Sequence, residues 1–190
     1  MLIAALSLKF AAAAPLGAVI DNVATVTYTM GGATSTIVTP LASFTVQARP
    51  TPSTIEFFRI SPSAPDATLV QLNGADYATD GASAFAPIGA IVLAGGAPVN
   101  LSQPLPLTPA TAYFAGEPVV VRVTDAGQNG DPGVVETIVA TITTANGDRV
   151  TLRFYESGPD TGAFYAYIQS ASGAVSIDDA VLTVAKSATL

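Results

Sequence analysis

Acidic and amide side chains crowd two short stretches in the second half of the chain, where they could bind a metal ion. The candidate ligands are Asp125, Asn129, Asp131, Glu136, Glu156 and Asp160. Both stretches border runs that are typical of β-strands, so the two groups could meet at one end of a β-sandwich. Oxygen ligands of this kind suit Ca²⁺, which takes about six to eight of them and tolerates irregular loops. Calcium is therefore the one cofactor that the sequence suggests.

The same residues have a simpler explanation as turn formers. Asp and Asn favour turns because their short side chains hydrogen-bond nearby backbone groups and tolerate left-handed conformations. Ordinary surface turns would carry these acidic residues without any metal. Both interpretations stay open at the level of sequence.

The composition excludes most catalytic machinery. The 190 residues include no Cys and no His, which excludes thiolate nucleophiles, Ser-His-Asp triads and Cys-ligated zinc. Paired carboxylates, Glu136 with Glu156 or Asp125 with Asp160, could still hydrolyse a glycosidic bond. Such enzymes normally also use aromatic platforms for sugar, but the chain has no Trp and its tyrosines fit cross-strand packing. We therefore predict that the protein is not an enzyme.

The charge distribution also narrows the choice of partners. Lys and Arg number 7 against 14 Asp and Glu, which gives a net charge of −7. The cations are scattered and form no basic stripe, so nucleic acid and anionic membrane surfaces are poor partners. Charged residues make up only 11% of the chain, so few charges are available to protect edge strands from pairing with other edges.

Apolar and polar residues alternate with a period of two, which predicts strands with one buried face. The alternation is clear in residues 24–30, 43–48, 119–124, 150–155 and 164–169. Asn146-Gly147, a strong hairpin signal, closely follows a β-rich run over residues 134–144. Short strands with turn residues between them predict an all-β fold, an antiparallel β-sandwich.

The chain is predicted to contain three segments. Residues 1–18 form an apolar segment that is either signal-like or a donor for another subunit. Residues 19–172 form the β-sandwich region, which includes a long Pro/Ala/Gly-rich connection over residues 61–118, and residues 173–190 form a C-terminal strand segment. Long structureless loops are uncommon in compact domains, so the connection either contains short strands or lies across a surface.

Five short motifs are spaced along the chain, namely Val19–Tyr28, Thr54–Arg59, Glu117–Asp125, Gln128–Pro132 and Glu156–Phe164. Together they resemble the immunoglobulin-like "conserved repeat domain" modules of large secreted bacterial cell-surface proteins. The resemblance implies an immunoglobulin-like β-sandwich, secretion and a structural or adhesive role outside the cell, and it implies no catalytic residues. The chain departs from the family at Gly127, where the resemblance leads us to expect a second acidic residue near Asp125.

The apolar N-terminal run, residues 1–14, is shorter than the roughly 20 residues that span a bilayer. It has three interpretations: an atypical signal peptide, an element of the mature fold, or a segment that packs on another subunit. Export would place the mature N-terminus between about residues 14 and 19. A retained segment would instead be a donor strand whose anchors share one face, namely Leu6, Leu8 and Phe10. The C-terminal run Ala180–Val184 is the other candidate donor.

These observations lead to two functional hypotheses. The first is a secreted structural subunit of a bacterial extracellular filament or surface layer, which assembles by β-strand addition between copies of itself. The alternative is a monomeric adhesin or glycan-binding β-sandwich module of a larger surface protein, with a glycan or host surface as its partner. The first hypothesis predicts a homopolymer and the second predicts a monomer, with no membrane span in either case.

Overall fold

The computed structural model describes residues 18–46 and 51–184. The prediction of an all-β fold with antiparallel sheets is confirmed, because 48% of the described residues lie in strands and 2% in helix. The sheets are consistent with a β-sandwich. The chain divides into two compact units, Met1–Arg49 and Pro50–Leu190, which are described separately below.

The first unit contains four short strands in two antiparallel pairs. They are β1 (Val19–Asn22), β2 (Thr25–Met30), β3 (Ala33–Val38) and β4 (Ala42–Thr45). Strand β1 pairs with β4, and β2 pairs with β3 through a turn in which Gly31 and Gly32 both have positive φ. Glycine adopts this conformation without steric cost, so the Gly-Gly pair permits the tight reversal.

The β2–β3 hairpin separates apolar from polar side chains. Val26 lies opposite Ile37 on one face, and both side chains are exposed. On the other face Thr27 and Thr36 are joined by a hydrogen bond of 3.2 Å. Within residues 18–46 no side chain is buried. Two-stranded hairpins are only marginally stable in water, so the described strands of this unit have little stability by themselves.

The second unit is built from ten strands. They are β5 (Thr54–Ile60), β6 (Thr68–Val70), β7 (Ala75–Ala78), β8 (Phe85–Pro87), β9 (Leu105–Pro109), β10 (Pro118–Thr124), β11 (Thr137–Thr143), β12 (Arg149–Glu156), β13 (Ala163–Ala171) and β14 (Val181–Thr183). Neighbouring strands follow the order β6-β9-β5-β10-β13-β12-β7-β8, while β11 pairs with β12 and β14 pairs in parallel with β13. Every other pair is antiparallel.

The core lies next to the place where β12 leaves β13 and continues beside β7. Strand β12 pairs with β13 only through Tyr155 and Glu156, and pairs with β7 through residues 152–154. The side chains of Leu152 and Phe154 are buried in the core. Strand β10 is buried on both faces, because its side chains from Val119 to Val121 are all inaccessible to solvent or nearly so.

The long connection of residues 61–118 belongs to the folded unit. It contains the short strands β6 to β9, and its apolar side chains enter the core at Leu72, Ile91 and Leu107. Of the two arrangements expected for it, the one with short strands is therefore present. Three of its prolines lie within these strands, Pro106 and Pro109 in β9 and Pro87 in β8. Each removes one backbone donor from its strand.

The C-terminal strand β14 is incorporated into its own chain. Gln169 and Ala171 of β13 pair with Val181 and Thr183 of β14, and the intervening Leu182 is fully buried. This strand is therefore not free to act as a donor for another subunit.

Truncation of a core leucine should test this packing. Leu152 is fully buried, so Leu152→Ala should lower the free energy of unfolding by about 2–5 kcal/mol. Leu69 in β6 is 67% exposed, so Leu69→Ala should change that free energy by no more than about 0.5 kcal/mol. Urea titration of both variants measures the difference. Equal losses in the two variants would contradict the assignment of Leu152 to the core.

Candidate functional site

The most distinctive surface feature of the second unit is an apolar cleft between strands β5 and β11. It consists of two adjoining hollows of about 540 and 170 Å³. The apolar side chains that line it are Ile55, Phe57, Val121, Val123, Ile138, Ala140, Ile142 and Phe154. Polar side chains line the larger hollow at Ser53, Asp125, Gln128 and Thr137, and the smaller hollow at Thr141 and Thr143. We refer to this feature as the β5–β11 cleft.

One wall of the cleft is an open edge of β11. Thr144 donates its amide to Asp148 at 2.9 Å, and Glu156 donates to the carbonyl of Glu136 at 3.0 Å. Backbone groups alternate between the two edges of a strand, so the even-numbered residues of β11 bond to β12 and the odd-numbered ones point away. No strand in the part of the chain that the structure describes pairs with this outward edge.

The other wall is an open edge of β5. The carbonyl of Phe57 accepts a hydrogen bond of 2.9 Å from the amide of Ala110, on the side away from β10. By the same alternation, the backbone groups of Ile55 point to that side. The hydrogen bond from Ala110 occupies this edge at Phe57, and strand pairing with β9 follows from Phe58. The open part of the edge is therefore limited to the start of β5, where Ile55 has no neighbouring strand among residues 51–184.

The side chains that line the cleft differ widely in their exposure to solvent. Ile55 is 62% exposed, whereas its cross-strand partner Val123 is 6% exposed. On β11 the inward-facing Ile138 and Ile142 are only partly buried, whereas Leu152 on the adjacent strand is fully buried. The cleft therefore combines uncovered apolar side chains with unpaired backbone groups.

Asp125 lines the larger hollow of the cleft and anchors the turn after β10. Its carboxylate accepts hydrogen bonds from the hydroxyls of Ser53 at 2.6 Å and Thr51 at 2.7 Å, and from the amide of Gly127 at 2.8 Å. The hydroxyl of Ser53, followed by that of Thr51, lowers the pKa of Asp125 below its ordinary value. The charged carboxylate is thus favoured in the folded protein.

The other predicted metal ligands also contact backbone amides or each other. Buried Glu156 accepts hydrogen bonds of 2.7 Å from the amides of Thr161 and Gly162. Glu136 accepts from the amides of Gly130 and Asp131. The side-chain amide of Asn129 donates to Asp160 at 2.9 Å, which joins the two predicted stretches. These contacts are those of residues that fix turns.

No metal-binding arrangement is evident in this region. Within the described residues, no group of three or more acidic side chains is placed to hold a metal ion. The carboxylates of Asp125, Glu136 and Glu156 are instead directed at backbone amides. Calcium binding by these residues stays a prediction.

The tyrosines predicted to pack across strands do so. Tyr165 and Tyr167 are each 5% exposed, and the hydroxyl of Tyr155 donates to Asp76 at 2.8 Å. These three rings therefore present no flat aromatic platform to a sugar.

The predicted donor anchors Leu6, Leu8 and Phe10 lie outside the described residues. The cleft itself is a site that sequence patterns do not reveal, because alternation in residues 137–143 indicates a strand without showing which edge lacks a neighbour. Strand β11, Thr137–Thr143, reads TIVATIT and contains no charged residue, but several other strands share this property, so it does not single out the open edge. Strands without charge are those that pair readily with further strands.

Comparisons of this chain with models of protein families, with curated proteins and with solved structures found no match. Across the described residues, helix is confined to the short turn Ala126–Gln128, and none is long and apolar enough to cross a bilayer.

Replacement of Asp125 should change how stability depends on pH. A carboxylate whose pKa is lowered by folding stabilises the protein above its ordinary pKa of 3.8, and the contribution is lost as the pH falls through the folded value. Asp125→Asn should therefore be less stable than the wild type by about 1 kcal/mol at pH 7. The difference should shrink below about pH 4. Thermal unfolding from pH 7 to pH 2 measures it, and a constant difference would contradict the prediction.

The calcium prediction has a direct test. Binding of Ca²⁺ by Asp125, Asp131, Glu156 and Asp160 requires that a chelator lowers the melting temperature and that added calcium restores it, because a ligand stabilises the state that binds it. Differential scanning calorimetry with EDTA, followed by excess calcium, measures both effects. An unchanged melting temperature would assign these residues to turn formation alone.

Proposed function

We propose that this protein is a secreted structural subunit of a bacterial extracellular filament or surface layer, and that its copies assemble by β-strand addition. The observation that carries the proposal is the β5–β11 cleft, where two open strand edges border uncovered apolar side chains. Strand addition uses these two features together: backbone hydrogen bonds supply affinity and pockets for alternate side chains supply specificity.

The composition of the edge supports this proposal. Exposed edge strands in natural proteins normally carry charged residues or proline, which prevent pairing with other chains. Strand β11 contains neither over residues 137–143, and only Val139, at 51% exposure, places a large apolar side chain on its outward face. This edge can therefore accept another strand, and it exposes few apolar side chains to water while it is unpaired.

Secretion and a bacterial surface location rest on different support. They are supported by the low content of charged residues and by the resemblance of the motifs around Asp125 and Glu156 to repeat modules of cell-surface proteins, and the absence of Cys is compatible with them. The same resemblance supports an immunoglobulin-like topology for the sandwich, which is also part of the proposal.

A proline at the open edge should block assembly without unfolding the subunit. The amide of Val139 points away from β12, so Val139→Pro removes a hydrogen-bond donor from the open edge and leaves the ladder to β12 intact. We expect filaments of the wild type in negative-stain microscopy and monomers of Val139→Pro in size-exclusion chromatography.

Val139→Ala is the matched control, because it shortens the same side chain but keeps the amide. It should assemble as the wild type does, and both variants should retain a cooperative thermal transition. A sharp monomer peak for the wild type at every concentration would contradict the proposal and favour a monomeric adhesin or glycan-binding module. Filaments of unchanged width from Val139→Pro would contradict the use of the β11 edge.

A further inference from the structure

The loop between strands β9 and β10 presents an aromatic ring to solvent. Phe114 is 73% exposed, the highest value among the large apolar side chains of residues 51–184. A single exposed ring is ordinary in a folded protein. A ring that binds a ligand is distinguished by a rigid position beside polar groups that can contact the same ligand.

Side chains of strand β13 fix the backbone around this ring. The hydroxyl of Ser170 donates a hydrogen bond of 2.6 Å to the carbonyl of Glu117. The side-chain amide of Gln169 donates one of 2.7 Å to the carbonyl of Gly116. The amide of Glu117 closes the turn by donating to the carbonyl of Phe114 at 3.0 Å. The loop is therefore ordered before any ligand binds, which lowers the conformational entropy that binding costs.

An ion pair lies next to the ring. The carboxylate of Glu117 accepts hydrogen bonds from the amide of Phe114 at 3.0 Å and from Nη2 of Arg59 at 3.1 Å. The same nitrogen donates to the carbonyl of Ala112 at 2.9 Å. The guanidinium carbon lies 5.9 Å from the centroid of the Phe114 ring. The ring and the two charged side chains thus form one cluster, in which the two charges cancel.

This cluster has hydrogen-bonding groups that the protein does not use. Nη1 of Arg59 and Oε1 of Glu117 have no hydrogen-bond partner in the part of the chain that the structure describes, and neither atom is buried. A guanidinium nitrogen donates hydrogen bonds and a carboxylate oxygen accepts them. A ligand at this place can therefore both accept and donate hydrogen bonds.

A cavity of about 200 Å³ adjoins the ion pair. Arg59 and Glu117 line it together with five apolar side chains, those of Ile60, Pro62, Leu93, Ala94 and Pro118. Apolar walls with a few polar groups are typical of small-molecule sites, whose volumes are roughly 300–1,000 Å³. This cavity is smaller than that range, so it accommodates only one ring-sized unit of a ligand.

We propose that these groups form a binding site for one neutral pyranose residue of a glycan. An ionic ligand would be attracted by one member of the ion pair and repelled by the other, which favours a neutral ligand. A pyranose ring has hydroxyls that both donate and accept, for Arg59 and Glu117, and a C–H face that packs on Phe114. An extended peptide also has donors and acceptors, but it needs a longer groove than this cavity provides. We refer to this place as the Arg59–Glu117 site.

The Arg59–Glu117 site is separate from the β5–β11 cleft. Glu117 precedes the start of β10, whereas Val123, which lines the cleft, lies near the end of the same strand. At about 3.3 Å per residue the two positions are about 20 Å apart. Sugar binding at this site therefore does not require strand addition, and it can be tested on the full-length chain whether or not filaments form.

Saturation-transfer NMR of the full-length protein tests for sugar binding. The probes are methyl glucoside, methyl galactoside, methyl mannoside and N-acetylglucosamine at millimolar concentration, with glucuronic acid as the charged comparison. At least one neutral sugar should receive saturation from the protein and should bind more tightly than glucuronic acid. No transfer to any neutral sugar would overturn the inference. Tighter binding of glucuronic acid would overturn the neutral class of ligand.

Two phenylalanine variants test the position of the site. Phe114→Ala removes the stacking face and should weaken binding of that sugar at least about tenfold. The matched control is Phe44→Ala in the first unit, where the ring is 59% exposed, and it should bind as the wild type does. Both rings are exposed, so neither variant should lower the melting temperature appreciably. Equal affinities of the two variants would overturn the assignment of this site.

Two arginine variants test the polar side of the site. Arg59→Lys keeps the positive charge but loses the planar set of donors, so it should weaken binding at least about tenfold. The matched control is Arg149→Lys, since Arg149 pairs with Asp178 at 2.9 Å in a different ion pair. This control should bind the sugar as the wild type does. Unchanged affinity in Arg59→Lys would overturn the role of the Arg59–Glu117 pair in binding.

Discussion

The backbone groups at strand edges are the constraint on which the rest of this structure depends. Each strand presents N–H and C=O groups on both edges, and burial of such a group without a partner costs free energy. The central strand β10 satisfies both edges by pairing with β5 and β13. At the β5–β11 cleft the edges lack a neighbour within the described residues, although solvent can bond to them. Contact between water and the apolar side chains of Ile55 and Ile142 is unfavourable. The cleft therefore combines backbone groups that need hydrogen-bond partners with apolar side chains that need cover.

At the turns, buried carboxylates accept hydrogen bonds from backbone amides that no strand pairs with. Glu156 bonds to the amides of Thr161 and Gly162 where the chain passes from β12 to β13. Asp148 is fully buried and accepts from the amides of Arg149 and Thr183, which joins the start of β12 to β14. Hydrogen bonds to charged groups are stronger than neutral ones. Glu156, one of the predicted metal ligands, therefore has a structural role in the turn that it fixes.

Local patterns predicted the elements but not their neighbours. The alternation in residues 150–155 and the Asn146-Gly147 turn are local signals, and the structure confirms both as β12 and its hairpin with β11. The cleft depends on which strands are adjacent, because β9 stops pairing with β5 at Phe58. Periodicity contains no information on such long-range pairing. Likewise, Ile91 in the Pro-rich connection is fully buried, but the short apolar run around it does not show which strands it packs against.

The absence of charged residues from β11 has a physical explanation in the proposed strand addition. A Lys or Glu beside the open edge of β11 would prevent misassembly, but a charge costs several kcal/mol to bury when a strand is added next to it. Thr137, Thr141 and Thr143 are instead exposed on this strand. A hydroxyl keeps the free edge hydrated and can find a partner afterwards, as Thr141 does with Thr151 across the ladder at 2.9 Å. Threonine thus keeps the open edge hydrated without the desolvation cost that would oppose the proposed strand addition.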